Sequence, residues 1–302
     1  MPYNTPRALL SAISDRARVE ARARGGLPND LVVQFYLGRL LERVFRHSPG
    51  GWLLKGGQAL LVRWPEARHS RDIDLAVRGN GGLDEAVTQL RAAAALDLDD
   101  FLRFEYVSTS VEQQERETRK VKFRAYCGTK PVTVVSVDVA GGLDPLGWPV
   151  EQVLEPPFAI DLGAAGAATA CMWPLEDSVA DKIAAMYERH RGQPSSRVKD
   201  LIDLIVIACS ATLDGPTTHA ALRREVARRT VNGVHLTLPR TFTVPDRRSW
   251  SSGYVAEAKR TRGFDERYRT LEKAEPVADR FVSPLLTEHP PGRWDHTQCS
   301  WS

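Results

Sequence analysis

Residues 52–77, WLLKGGQALLVRWPEARHSRDIDLAV, constrain this chain more than any other segment. An apolar run, Trp52-Leu53-Leu54, leads into Gly56-Gly57 and a short helical pattern from Ala59 to Val62. A polar link follows, and Asp72-Ile73-Asp74-Leu75-Ala76-Val77 then alternates as a strand does. Strand side chains repeat every two residues, so Asp72 and Asp74 face the same side. Two neighbouring carboxylates repel unless a cation stands between them, and Mg²⁺ takes carboxylate oxygens together with substrate phosphates. The glycine pair permits close backbone approach, and the helix start after it presents free N–H groups to an anion. One short stretch thus predicts a metal clamp and a phosphate cradle. A lone Asp-x-Asp is usually a solvated edge and a lone Gly-Gly usually a turn; the specificity lies in their combination in strand–turn–helix–strand order.

A third carboxylate of the same kind is Asp138. It is the one charge in Val132-Thr133-Val134-Val135-Ser136-Val137-Asp138-Val139, a β-branched strand in which an ion is unfavourable unless paired or metal-bound. Its alternative role is to end that strand before Gly141-Gly142. Strands are also expected over 101–108 and 119–126, the latter joined to the Asp138 strand by a hairpin turn at Cys127–Pro131. Helices are expected over 6–24, 29–46 and 83–95, and, after Glu155-Pro156-Pro157, over 176–190, 197–209, 216–229, 249–262 and 271–286.

Lys55-Gly56-Gly57, a helix, and then Arg71-Asp72-Ile73-Asp74-Leu75 resemble the first motif of the DNA polymerase β-like nucleotidyltransferase superfamily. More narrowly, the chain is similar to the AbiEii/AbiGii toxin family, which includes the MenT-type toxins. Further along, Lys182 in the helix Val179–Ala185 and the run Arg197-Val198-Lys199-Asp200-Leu201-Ile202-Asp203-Leu204 carry the same resemblance, as does Trp250…Tyr254…Ala258. It extends from about residue 29 to 286. In place of the small residue this family often has after its glycine pair, the chain has Gln58.

The resemblance implies a metal-dependent nucleotidyltransferase with an NTP substrate. Asp72, Asp74 and Asp138 would hold metal, in all two Mg²⁺ ions, and Asp138 could also draw off the acceptor's proton. Gly56, Gly57, Gln58 and Lys182 would bind the triphosphate, with Asp200 and Asp203, three apart on one helix face, orienting Lys182 or an arginine. It further implies a toxin that adds a nucleotide to the 3′ end of tRNA and blocks translation, acts in the cytoplasm, and is countered by a cognate antitoxin. Ser70, two residues before Asp72, is a position where a phosphate would add nearly two negative charges beside the carboxylates.

The expected fold is α/β (α+β): a polymerase β-like domain with a mixed sheet over 1–165, a helical, basic domain over 166–287, and a flexible tail over 288–302. Charge divides along the chain. Residues 182–273 hold 18 Lys/Arg against 10 Asp/Glu, whereas residues 1–181 hold 21 against 24. A carboxylate-bearing first part and a basic second part suit an enzyme with a polyanionic acceptor. The Arg-rich N-terminal stretch lacks an apolar signal core and reads as a surface helix; no apolar run approaches a membrane span. Four dispersed cysteines form no zinc spacing and suit a reducing compartment. Two other functions keep part of this chemistry: nucleotide transfer to a small molecule or a protein hydroxyl, and a non-catalytic nucleotide-binding regulatory module.

Overall fold

The computed structural model describes residues 2–79, 81–111, 118–163, 167–190, 192–261 and 263–302. The chain divides into two compact units. Met1–Pro65, His69–Asp144 and Pro149–Met172 form the first; Glu66–Arg68, Pro145–Trp148 and Trp173–Ser302 form the second.

In the first unit, helices α1 (Pro6–Arg24) and α2 (Pro28–His47) precede strand β1 (Trp52–Lys55), helix α3 (Gly56–Arg63), strand β2 (Asp72–Val77) and helix α4 (Leu83–Ala94). Then come β3 (Leu102–Val111), β4 (Thr118–Cys127), β5 (Lys130–Ala140), β6 (Val150–Val153) and β7 (Thr169–Met172). The seven strands form one mixed sheet in the order β3-β4-β5-β2-β1-β7-β6. β2 runs parallel to β5 and β1 parallel to β7; the remaining neighbours are antiparallel.

Alternation decides what each face of the sheet does. Ile73 and Leu75 of β2, Val121, Phe123 and Ala125 of β4, and Val135, Val137 and Val139 of β5 are all buried. Apart from the buried Ala76, the alternate residues of these strands, Asp72 and Asp74 among them, keep partial or full exposure. α1 and α2 pack together, and α4 lies against α2 and against β3, β4 and β5. The Arg-rich N-terminal stretch is amphipathic, burying Leu9, Ile13, Ala17 and Ala21 while its arginines stay at the surface. The β4–β5 turn is tighter than expected: Cys127 and Lys130 both belong to strands, with Gly128 at φ +58° between them. β7 had no clear signal in the sequence, because its four residues are too short for periodicity to register.

The second unit contains α5 (Leu175–Tyr187), β8 (Glu188–His190), β9 (Gln193–Pro194), α6 (Val198–Ser210), β10 (Leu213–Asp214), α7 (Gly215–Val231) and β11 (His235–Leu236). It ends with α8 (Arg247–Arg260), α9 (Leu271–Leu286), β12 (Arg293–Asp295) and β13 (Ser300–Trp301). α5 packs on α6 and α7, and α6 on α8 and α9. The last residues correct an expectation. Residues 288–302 read as a loose tail, yet β12 pairs with both β10 and β13. Trp294 is fully buried, donates its indole N–H to the Ala208 carbonyl at 2.8 Å, and meets Phe281 edge-on with centroids 4.8 Å apart. Trp301 stacks on Phe281 and donates to its carbonyl. Two tryptophans supply enough apolar area to fasten a segment that is otherwise polar and proline-bearing.

Among the described residues no helix is long and apolar enough to cross a membrane.

Candidate active site

Sheet register assembles the first cluster. Asp74 of β2 is the direct partner of Asp138 of β5, and Asp72 is the partner of Ser136. On the outer side of Asp74 stands Lys55 of β1; on the outer side of Asp138 stands Lys120 of β4. The result is a row across four strands, Lys55–Asp74–Asp138–Lys120, with two acids inside and a base at either end. Lys120 Nζ lies 3.5 Å from Asp138 Oδ1. Asp72 accepts a hydrogen bond from Ser70 Oγ at 2.9 Å. Ser70 is itself buried, and its carbonyl accepts from the Gln34 amide. The Ser70 hydroxyl therefore touches Asp72.

Gly56 ties the cradle to this row. It begins α3 at φ +64°, a left-handed conformation that side-chain-bearing residues rarely adopt. A Cβ there would stand 1.9 Å from Asp74 Oδ2, so the carboxylate occupies the space that only glycine leaves open. No side chain caps α3, so its first-turn N–H groups are of the type that accept an anion. Gly57 and Gln58 are buried, and Gln58 Oε1 has no hydrogen-bond partner among the described residues. A buried, unsatisfied amide oxygen is unfavourable by about 1–3 kcal/mol, which suits a position completed by a donor from a ligand.

The second unit holds the other predicted residues in a buried ion network. Lys182 of α5 places Nζ 2.6 Å from Asp203 Oδ2 and 3.8 Å from Asp200 Oδ1, both on α6. Asp203 also takes a two-pronged pair from Arg68, with both contacts at 2.9 Å. Asp200 pairs with Arg197. Burial alone would push the Asp203 carboxyl up, but the charges of Lys182 and Arg68 outweigh it and hold the group below the ordinary carboxylate value. Asp200 and Asp203 thus contact a lysine and two arginines between them. Sequence reasoning quoted Arg197 in the motif without giving it a role, and it missed Arg68. Arg197 carried a signal, since it stands three residues before Asp200 at a helix start. Arg68 carried none, being remote from Asp203 in the chain.

The three carboxylates offer oxygen donors only, the set that hard divalent cations such as Mg²⁺ prefer. Their placement on adjacent strands suits such an ion in kind. Among the described residues no three His, Cys, Asp or Glu side chains already converge as a ligand group, so closing round an ion calls for side-chain rotation on a backbone that is in register.

Part of the basic balance of the second unit is taken up by ion pairs within it. Arg229 is buried and pairs with Asp181, Glu188 and Glu225. Arg224 pairs with Asp177, Arg228 with Glu225, and Arg247 with Glu275. Arg224, Arg229 and Arg247 tie one helix to another, whereas Arg228 pairs within α7; a count of charges in the sequence does not distinguish such pairs from a free basic surface.

The profile of the family described as "Nucleotidyl transferase AbiEii toxin, Type IV TA system" matches residues 39–293. Among solved structures, MenT4, a nucleotidyltransferase toxin from Mycobacterium tuberculosis H37Rv, superposes with a TM-score of 0.58 at 18% identity, covering 96% of this chain and 92% of that one. At that identity the likeness concerns the fold. JHP933 from Helicobacter pylori gives a TM-score of 0.39 at 13% identity over 64% of this chain and 77% of that one, too slight to argue from. Comparison with curated sequences finds no match.

Proposed function

The chain belongs to the AbiEii nucleotidyltransferase toxin family, and on that premise we propose that it transfers a nucleotide from an NTP to the 3′-terminal hydroxyl of tRNA, which would block translation. The observation that carries this reading is the register pairing of Asp74 with Asp138, with Asp72 two residues before and Gly56 against the Asp74 carboxylate. Asp72, Asp74 and Asp138 would hold Mg²⁺, whose charge, when bound, polarises phosphate oxygens and lowers the pKa of a hydroxyl next to it.

The residues of the chain itself have separable tasks. Gly56 and Gly57 receive phosphate oxygens on backbone N–H groups, and Gln58 contributes its amide. Asp138 accepts the proton of the acceptor hydroxyl as that oxygen bonds to the α-phosphorus. The bond from the α-phosphorus to its bridging oxygen breaks, and pyrophosphate leaves with the electron pair. Lys182 provides a further cation for the β and γ phosphates. Arg68 keeps Asp203 paired when Lys182 turns to a phosphate, and Asp200 with Arg197 holds the helix start in place. As a toxin of this family the chain would act in the cytoplasm beside a cognate antitoxin.

The test is incubation of the purified protein with Mg²⁺, total RNA and each of four labelled NTPs in turn. The expected result is label at the 3′ end of tRNA with at least one nucleotide, absent for Asp74→Asn. Absence of label from RNA with every NTP, alongside label on a small hydroxyl compound or a protein, would replace the acceptor; no label on any acceptor would remove the reading.

A further inference from the structure

One strand beside the carboxylate row has an uncommon pattern. Alternate residues of β4 are Lys120, Lys122, Arg124 and Tyr126, and period two places all four on the face that carries Asp138. Lys122 and Arg124 are exposed, and neither has an ion pair among the described residues. The acid nearest to Arg124 in register, Glu105 of β3, pairs with Arg103 instead, at 3.1 Å. Arg103 in turn lies over the Tyr126 ring at 4.6 Å from its centroid. Beside Lys122 and Lys120 stand the hydroxyls of Ser108 and Ser110 on β3. In the second unit Arg224, Arg228, Arg229 and Arg247 are each committed to an acid, while Lys259 and Arg260 of α8 are exposed.

We infer that the open face of β4 is the track on which the acceptor's sugar–phosphate backbone lies, with Lys122 and Arg124 contacting phosphates and Tyr126 offering a ring to a base. The inference rests on the nucleotidyl-transfer reading and says where in this chain the polyanion is held. Three arguments support it. Charge is the first: exposed cations without acid partners are the groups that give binding to a phosphate backbone its strength. Direction is the second. Successive cations on one strand face stand about 6.8 Å apart, and the series runs from Arg124 through Lys122 to Lys120, which is the register partner of Asp138. A backbone laid along it delivers its end to the carboxylate row. Chemistry is the third: hydroxyls flanking the cations and a tyrosine at the far end are the usual company of phosphates and stacked bases. A lipid surface would need a broad set of exposed apolar side chains on this face, where β5 offers Val134, the neighbour of Arg124, and Pro131, the neighbour of Tyr126.

The experiment measures binding of labelled total tRNA by the full chain over a salt series, apart from any transfer. Lys122→Ala/Arg124→Ala should flatten the slope of log affinity against log salt by about 1.4, the value for two phosphate contacts on a single strand. Lys122→Glu/Arg124→Glu should weaken binding at least tenfold with an unchanged Tm, and Lys122→Arg/Arg124→Lys should restore it. Lys259→Glu/Arg260→Glu, a reversal of exposed charges on α8, serves as the comparison. An unchanged slope in the β4 variants, a larger loss in the α8 variant, or binding to anionic phospholipid vesicles in preference to tRNA would each overturn the track. Wild-type protein that binds tRNA through β4 but transfers nothing would sink the transfer reading and leave the track standing. Transfer with a β4-independent tRNA affinity would do the reverse.

Discussion

Asp74 lies directly opposite Asp138 in the parallel pairing of β2 with β5, and each has a lysine as its other neighbour across the sheet, Lys55 and Lys120 respectively. Two acids in adjacent register repel, and the flanking cations reduce that repulsion without removing the carboxylates from the open face. In the proposed function this negative charge is what would hold the divalent ion.

Asp138→Asn keeps the size of the side chain and removes its charge and basicity. Turnover should fall by on the order of 10²–10⁴, the range for loss of a general base. Thermal stability without metal should hold or rise, because one of two like charges has gone. A rate within twofold of the parent, measured with saturating NTP and tRNA, would take Asp138 out of the reaction.

Gly56→Ala should damage both fold and activity. The new Cβ would stand 1.9 Å from Asp74 Oδ2 at φ +64°. Alanine where φ is positive is unfavourable by roughly 1–2 kcal/mol, and the displaced carboxylate adds to that. The expected outcome is a lower Tm together with loss of transfer, whereas Gly25→Ala, at φ +78° with open space around it, should cost the backbone term alone and leave transfer intact. Equal effects of the two substitutions would show that the contact with Asp74 does not matter.

The Asp203 network predicts an acid limit to stability. Burial tends to raise this carboxyl, and the charges of Lys182 and Arg68 lower it more, so its folded value lies below the unfolded one. Its contribution is therefore fully present above the unfolded carboxylate value of about 3.9 and is lost as pH falls through the lower folded value. Asp100, buried against Arg43 and Arg39, is shifted in the same direction and loses its contribution in the same window. Denaturant midpoints taken from pH 7 down to pH 2 should hold level until about pH 4 and then drop. In Asp203→Asn the drop should be shallower. A decline that begins near pH 6 would point to histidines instead.

Arg229→Ala should unfold the second unit more readily, and any loss of RNA binding should follow from that. Its guanidinium is buried among Asp181, Glu188 and Glu225. Removing one partner from a buried ion network costs about 3–5 kcal/mol. Urea denaturation should report a loss of that order. Full stability combined with weaker tRNA binding would return this arginine to the acceptor surface.

Much of the local structure was legible in the residues. Alternation marked β2 and β5, a glycine pair before an apolar helix pattern marked α3, and a 3.6-residue stripe marked α2; each is information carried within a dozen neighbouring positions. The three aspartates could be chosen as candidates for the same reason, since an ion inside a β-branched strand is conspicuous where it stands. What tertiary structure alone decided was partnership. The opposition of Asp74 to Asp138 depends on β5 docking beside β2, and Lys120 reaches Asp138 because β4 docks beside β5. Arg68 meets Asp203 through chain packing that no spacing reports. Trp294 turned an apparent tail into packed structure, because burial depends on what lies opposite a side chain. The basic balance of residues 182–273 was a true count with an unpredictable use: electrostatic energy depends on distance in space, and the fold brought Asp181, Glu188 and Glu225 to Arg229 while it left Lys122 and Arg124 on an open strand face.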